Sequence, residues 1–121
     1  MRTAAQLAAD YIALWNETDA ARRRGLIAAT WTTGASYVDP LMKGAGESEI
    51  DALISAVQQR FPAFRFSLLG TADGYGDVVR FSWGLGPKDG DAIVKGTDFV
   101  RREGDKIAAV TGFLDLMPSA A

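Results

Sequence analysis

At Phe64 the hydrophobic period of this chain changes. Before it, apolar residues recur at helical spacing. From "FRFSLLGTA" onward they alternate. No single element type satisfies both halves, so the chain must fold as a helical layer followed by a sheet. Strands are predicted at "FRFSLLGTA", "DVVRFSWGLG", "DAIVKGTDFVRR" and "KIAAVTGFLDLM". The segments "DGYGD", "PKDGD" and "EGDK" between them are short turn signals, which join consecutive strands into an antiparallel meander.

The first half resolves into three helices and one short strand. In "TAAQLAADYIALWNETD" one helical face carries Leu7, Tyr11, Leu14, Trp15 and Thr18, with Thr3 placed to cap it. Asp19 caps a second helix, "AARRRGLIAATW", whose apolar side is Leu26, Ile27 and Trp31. Its run Arg22–Arg24 reads as a solvated surface: no Gly-rich loop accompanies it to hold a phosphate. A strand over 35–39 follows, and Pro40 keeps Asp39 extended. A third helix is predicted from Glu47 to Phe61, with Ile50, Leu53, Ile54 and Val57 as its stripe and Pro62 as its stop. The expected class is α+β: three N-terminal helices packed on one face of a curved antiparallel sheet. A single domain over 1–121 suits the length. The tail "MPSAA" is expected to fray.

Two absences limit the chemistry. The chain has no cysteine and no histidine. Thiol nucleophiles, thiolate metal sites and Ser-His-Asp catalysis are therefore excluded, and acid–base work falls to Asp, Glu, Tyr or Lys. A carboxylate-only metal site stays open, but no Ca²⁺-loop spacing is present, and no cofactor is expected. A net charge of −2 argues against nucleic acid or an anionic membrane as partner. No leader or membrane-length apolar run is visible, which gives a cytoplasmic expectation.

Strand alternation then sorts the sheet. Val79, Phe81, Trp83 and Leu85 share one face. In the next strand Lys95, Thr97, Phe99 and Arg101 share a polar face, which leaves Asp98 with Val94, Gly96 and Val100. The last strand is mixed on both faces. A carboxylate among apolar neighbours must be paired or protonated. Asp98 is thus either a functional acid or a satisfied structural one. Asp39 has the same two readings, because an Asp before Pro can simply cap a turn. It lies two residues from Tyr37, on the same strand face. Tyr11 reads as a packing residue with a polar tip, and Tyr37 as pocket wall rather than catalyst. Trp15, Trp31, Trp83, Phe61 and Phe113 read first as core and second as the lining of a pocket.

The element order and two phrases, "YIALWNETDAARRRGLIAATWTTGASYVDP" and "GTDFVRREGDKIAAVTGFLD", resemble the SnoaL-like branch of the cone-shaped NTF2-like superfamily, over nearly the whole chain. Within it the chain is similar to delta-5-3-ketosteroid isomerase at three positions: Tyr11 in "DYIALWNETD", Asp39 in "YVDP" and Asp98 in "GTDFVRREG". The resemblance implies Asp39 as general base, with Tyr11 and a protonated Asp98 as donors to an oxyanion. The third helix offers Val57 and Phe61 where the isomerases carry supporting tyrosines. The epoxide-hydrolase branch is disfavoured, since "VVRFSW" has no Asp two residues after Arg80. A polyketide-cyclase-like use of Asp98 stays open.

The implied partner is a small hydrophobic carbonyl compound, and a homodimer is expected from the superfamily. Three functions compete: proton transfer alpha to a carbonyl, non-catalytic binding of an apolar molecule, and an interaction module using the face that carries Phe99. Catalysis requires Asp39 and Asp98 to face one cavity, with the Tyr11 hydroxyl in reach of Asp98. An Asp39 that instead bonds the amides of its own turn would defeat the enzyme reading.

Overall fold

The structure, a computed structural model, describes residues 1–118, so most of the predicted frayed tail lies outside the described residues. Helix α1 (Ala4–Asn16) begins at Thr3. The Thr3 side chain accepts from the Gln6 amide and the Gln6 side chain accepts from the Thr3 amide, a reciprocal cap. Helix α2 (Ala20–Thr30) begins at Asp19, whose Oδ1 accepts from the Arg22 amide. Helix α3 (Gly46–Arg60) has no side-chain cap at Ala45, but Glu47 and Glu49 in its first turn complement the helix dipole.

The sheet contains β1 (Trp31–Val38), β2 (Lys43–Ala45), β3 (Phe64–Tyr75), β4 (Val78–Pro87), β5 (Val94–Glu103) and β6 (Lys106–Leu116), in the spatial order β2-β1-β6-β5-β4-β3. Strands β3 to β6 form the expected meander. The first half holds three surprises. Strand β1 starts at Trp31, so this residue opens the strand rather than closing the α2 face; the β-branched run Thr30, Thr32, Thr33 favours extension there. A short β2 pairs with β1 where a loop was expected. Strand β1 lies parallel to β6, so the sheet is mixed rather than wholly antiparallel. No turn joins β1 to β6, and local sequence signals carry no trace of such a pairing.

Register shifts interrupt β3–β4 between Leu69 and Asp73, and β5–β6 near Gly96 and Arg102. Shifts of this kind bend strands and increase their local twist. Leu7, Leu14, Ile27, Ile50, Ile54, Val79, Val100 and Ile107 form the dry core between the layers. Each such side chain contributes about 1.5–3 kcal/mol of burial.

Polar ties fix the helices over the sheet. Asn16 at the end of α1 donates to the Phe66 carbonyl and accepts from the Phe66 amide, like an added strand residue. Gln58 of α3 donates to the carbonyls of Trp15 and Glu17. Arg23 departs from the solvated surface expected for its run. It is 4% exposed, its Nε lies 2.6 Å from Asp51, and it also donates to Gln58. Its helical position faces α3, whereas Arg22 and Arg24 are exposed.

Candidate active site

Residues of α1, α3 and the inner sheet face enclose a cavity of about 230 Å³. The period of α1 puts Tyr11 and Trp15 one turn apart, both facing this space. The alternation of β5 puts Asp98 there too, paired in register with Phe81 on one side and Gly112 on the other. Asp39 reaches the same cavity from the turn after β1, beside Tyr37.

Tyr11 and Asp98 form its buried end, at 3% and 1% exposure. The Tyr11 hydroxyl donates to Asp98 Oδ2 at 2.6 Å. Burial pushes the Asp98 carboxyl up to about 6, assisted by the charges of Asp39 and Asp115; the hydrogen bond from Tyr11 and the nearby Trp83 indole act against it. Burial, and then the charge of Asp98, also raises both phenols. Tyr11 and Tyr37 therefore stay protonated donors, and Asp98 carries its proton in mildly acidic solution. Asp98 Oδ1 and the indole nitrogens of Trp15 and Trp83 are buried without hydrogen-bond partners.

Asp39 is held from both sides. Its Oδ1 accepts from the amides of Leu41 and Met42, at 2.7 and 2.9 Å. Its Oδ2 accepts from the Tyr37 hydroxyl at 2.7 Å. The turn contact anticipated as an objection to catalysis is thus present, together with the cavity-facing position that catalysis needs. The contact does not fill the group: a carboxylate offers about four acceptor sites, and three donors leave one on Oδ2.

Gly112 makes the juxtaposition of the two acids feasible. A Cβ there would lie 2.8 Å from Asp98 Oδ1 and 3.3 Å from Asp39 Cβ. Both side chains close over the same bare backbone.

Of the residues expected to line a pocket, Trp15, Tyr37, Phe61 and Trp83 do so. Trp31 does not. It is 1% exposed and packs against Tyr11, 6.0 Å between ring centres, as backing for the site. Phe113 does not either. It is 54% exposed on the outer face of the sheet, edge-on to Phe99, because β6 turns Leu114 inward in its place. The sequence reading missed Phe66, Met42, Leu114 and Arg60, which also line the cavity. The alternation of Phe64, Phe66 and Leu68 signalled Phe66. Nothing local marked Arg60, the last residue of its helix. Among the described residues no group of three or more Asp or Glu side chains could hold a metal ion, and no helix is long and apolar enough to cross a membrane.

Comparison with known proteins gives a consistent picture. The SnoaL-like domain matches residues 8–110. The chain is similar to a "putative isomerase of the SnoaL-like family" from Agrobacterium tumefaciens, at 48% identity over 90% of this chain and 94% of that one, with a TM-score of 0.85. It also shares its fold with a protein of ketosteroid isomerase-like fold from Catenulispora acidiphila, solved in complex with trimethylamine. There the identity is 16%, the coverage 91% of this chain and 85% of that one, and the TM-score 0.73. No curated protein matches the chain.

Proposed function

The chain belongs to the SnoaL-like domain family, and from that premise we propose that it moves a proton alpha to the carbonyl of a small hydrophobic ketone, as ketosteroid isomerases do. The observation that carries this is the 2.6 Å Tyr11–Asp98 pair at the buried end of an apolar cavity that Asp39 also lines. Asp39 Oδ2 takes the proton from the carbon next to the carbonyl. The C–H electron pair becomes the enolate double bond, and the negative charge moves to oxygen. The Tyr11 hydroxyl turns from Asp98 to that oxygen, and it and protonated Asp98 donate to it at the buried end of an apolar cavity, where such bonds are strongest. Return of the proton from Asp39 to the gamma carbon of a beta,gamma-unsaturated ketone restores the carbonyl and leaves the conjugated enone.

The cavity size bears on the substrate. At about 230 Å³ it lies below the roughly 300–1,000 Å³ common for drug-sized ligands. A ketone of one or two rings suits it better than a four-ring steroid.

One observation favours a second reading, a non-catalytic binder of the same class of molecule. Both oxygens of Asp39 already have donors, and a carboxylate held in this way serves equally well as a rigid wall. A homodimer is part of the proposal as well: Val38, Phe99 and Phe113 leave apolar surface on the outer sheet face, and sedimentation equilibrium checks it.

The deciding experiment mixes the purified protein with monocyclic and bicyclic beta,gamma-unsaturated ketones and follows the near-UV absorbance of the conjugated product. Conversion that disappears in Asp39→Asn supports the enzyme. Binding without conversion supports the carrier, and neither binding nor conversion overturns both.

A further inference from the structure

The exposed end of the cavity carries one cation. Arg60 stands in the last turn of α3 and lines the opening, with its guanidinium 5.6 Å from the ring centre of Phe61, itself a lining residue. Among the described residues, every other charged group on the cavity wall is an acid, Asp39 or Asp98. Yet Arg60 pairs with neither: among the described residues it makes no salt bridge and no side-chain hydrogen bond. Arg2, Arg23, Arg80 and Arg102 pair with acids; among the described cations without such a partner, which include Arg22, Arg24 and Arg65, Arg60 is the one that lines the cavity. Arg60 is therefore set against an aromatic wall, which orients its planar fork, while its donors stay uncommitted at the mouth of an apolar chamber.

We infer that the ligand of this site is an amphipathic keto acid: an apolar body of one or two rings, a carbonyl at the Tyr11–Asp98 end, and a carboxylate at the mouth bound by Arg60. The inference rests on the proposed carbonyl-binding function of the same cavity and adds the second polar group of the ligand. A guanidinium matches a carboxylate through two parallel N–H donors, and such charge-assisted pairs are the strong ones. The geometry also separates the two anionic centres that would otherwise compete. Asp39 has its oxygens held by Leu41, Met42 and Tyr37, so it does not swing across to neutralise Arg60. A ligand carboxylate then meets a cation at the mouth, and its carbonyl meets neutral donors at the buried end. This gives the molecule one orientation in an otherwise featureless apolar space.

Phenols imitate an enolate oxygen, so hydroxyaryl carboxylates test both ends at once. The probes are 4-hydroxybenzoate, 4-hydroxyphenylacetate and 6-hydroxy-2-naphthoate, each beside its methyl ester, titrated against the protein while the fluorescence of Trp15 and Trp83 is followed. The expected result is that at least one acid binds about tenfold or more tightly than its ester, that Arg60→Gln brings the two within about twofold, and that Arg60→Lys restores part of the preference. The affinity of the ester should be the same in all three proteins, which a merely structural role for Arg60 would not give. Acids and esters that bind alike, or a preference that survives Arg60→Gln, overturns the keto-acid inference while leaving the carbonyl site standing. If neither form of any probe binds, the inference falls together with the function on which it rests.

Discussion

The Tyr11 hydroxyl and the Asp98 carboxylate, 87 positions apart in the chain, meet at 2.6 Å, and both residues are buried. Removing one partner tests the pair. Tyr11→Phe should lower turnover of a beta,gamma-unsaturated ketone by about 10²–10³, the usual effect of losing one oxyanion donor. It should also destabilise the fold by about 1–3 kcal/mol, since the carboxyl oxygen loses its partner. Stopped-flow absorbance and urea unfolding read the two effects separately. An unchanged rate would remove Tyr11 from the chemistry.

Asp39 and Tyr37 make a second, separable test. Asp39→Asn keeps the shape and loses the base, so conversion should fall by several orders of magnitude while binding of a phenol is retained. Tyr37→Phe withdraws the donor from Oδ2 and leaves the amide contacts to Oδ1. It should raise, or leave unchanged, the rate of proton abstraction. A loss as deep as that of Asp39→Asn would show that the phenol takes part in the chemistry.

The elevated Asp98 carboxyl links pH to both activity and stability. A donor role needs the protonated form, so kcat/KM should fall as pH rises through about 6, approaching tenfold per pH unit above it. The stability effect has the same direction. An acid whose folded pKa exceeds its unfolded value binds the proton more tightly when folded, so its contribution is complete below the ordinary value of 3.8 and is lost as pH rises through about 6. The loss amounts to about 3 kcal/mol at most. Urea midpoints from pH 3.5 to 7.5 should show this slope in the wild type and a flatter one in Asp98→Asn. Equal slopes would mean that Asp98 is ionised throughout.

Gly112→Ala is a mild substitution by composition and a severe one by position. The new methyl group needs the space of Asp98 Oδ1, and forcing an atom into a filled core costs about 1–3 kcal/mol. The far-ultraviolet circular dichroism should stay native while phenol binding weakens, because the carboxyl is pushed off Tyr11. Undiminished binding would show that the two acids need no shared glycine.

Arg23→Ala should cost about 3 kcal/mol in chemical denaturation, the lower end for stripping a buried ion pair of one member, because Asp51 keeps some solvent contact at 20% exposure. Asp51→Asn should cost less, since an amide can still accept from the guanidinium. A loss in Arg23→Ala no larger than that of an exposed neighbour such as Arg24→Ala would contradict the buried tie.

Much of the fold could be read residue by residue. Thr3 and Asp19 announced two helix starts because caps are local chemistry. The alternation in β4 and β5 sorted Val79, Phe81, Trp83 and Asp98 inward because a strand has a strict period of two. The last strand resisted that sorting: Thr111 and Phe113 interleave with Val110 and Gly112, and no local rule makes a lone Phe face solvent while Leu114 turns in. Trp31 failed for a related reason. Aromatic bulk marks burial, and both core and cavity wall are buried; which of the two a tryptophan joins depends on what stands beyond it.

The sequence by itself determined the two-layer architecture, the inward placement of Asp98 and the restriction of any acid–base chemistry to carboxyl, phenol and amine groups, because period, capping and residue inventory act over short stretches of chain. Only the tertiary structure decided that β1 lies parallel to β6, that Asp39 and Asp98 close over Gly112, and that Arg60 reaches the mouth of the cavity with no partner among the described residues. Each of those facts is a distance between residues remote in sequence, fixed by how curled strands and helices pack rather than by any preference the residues carry alone.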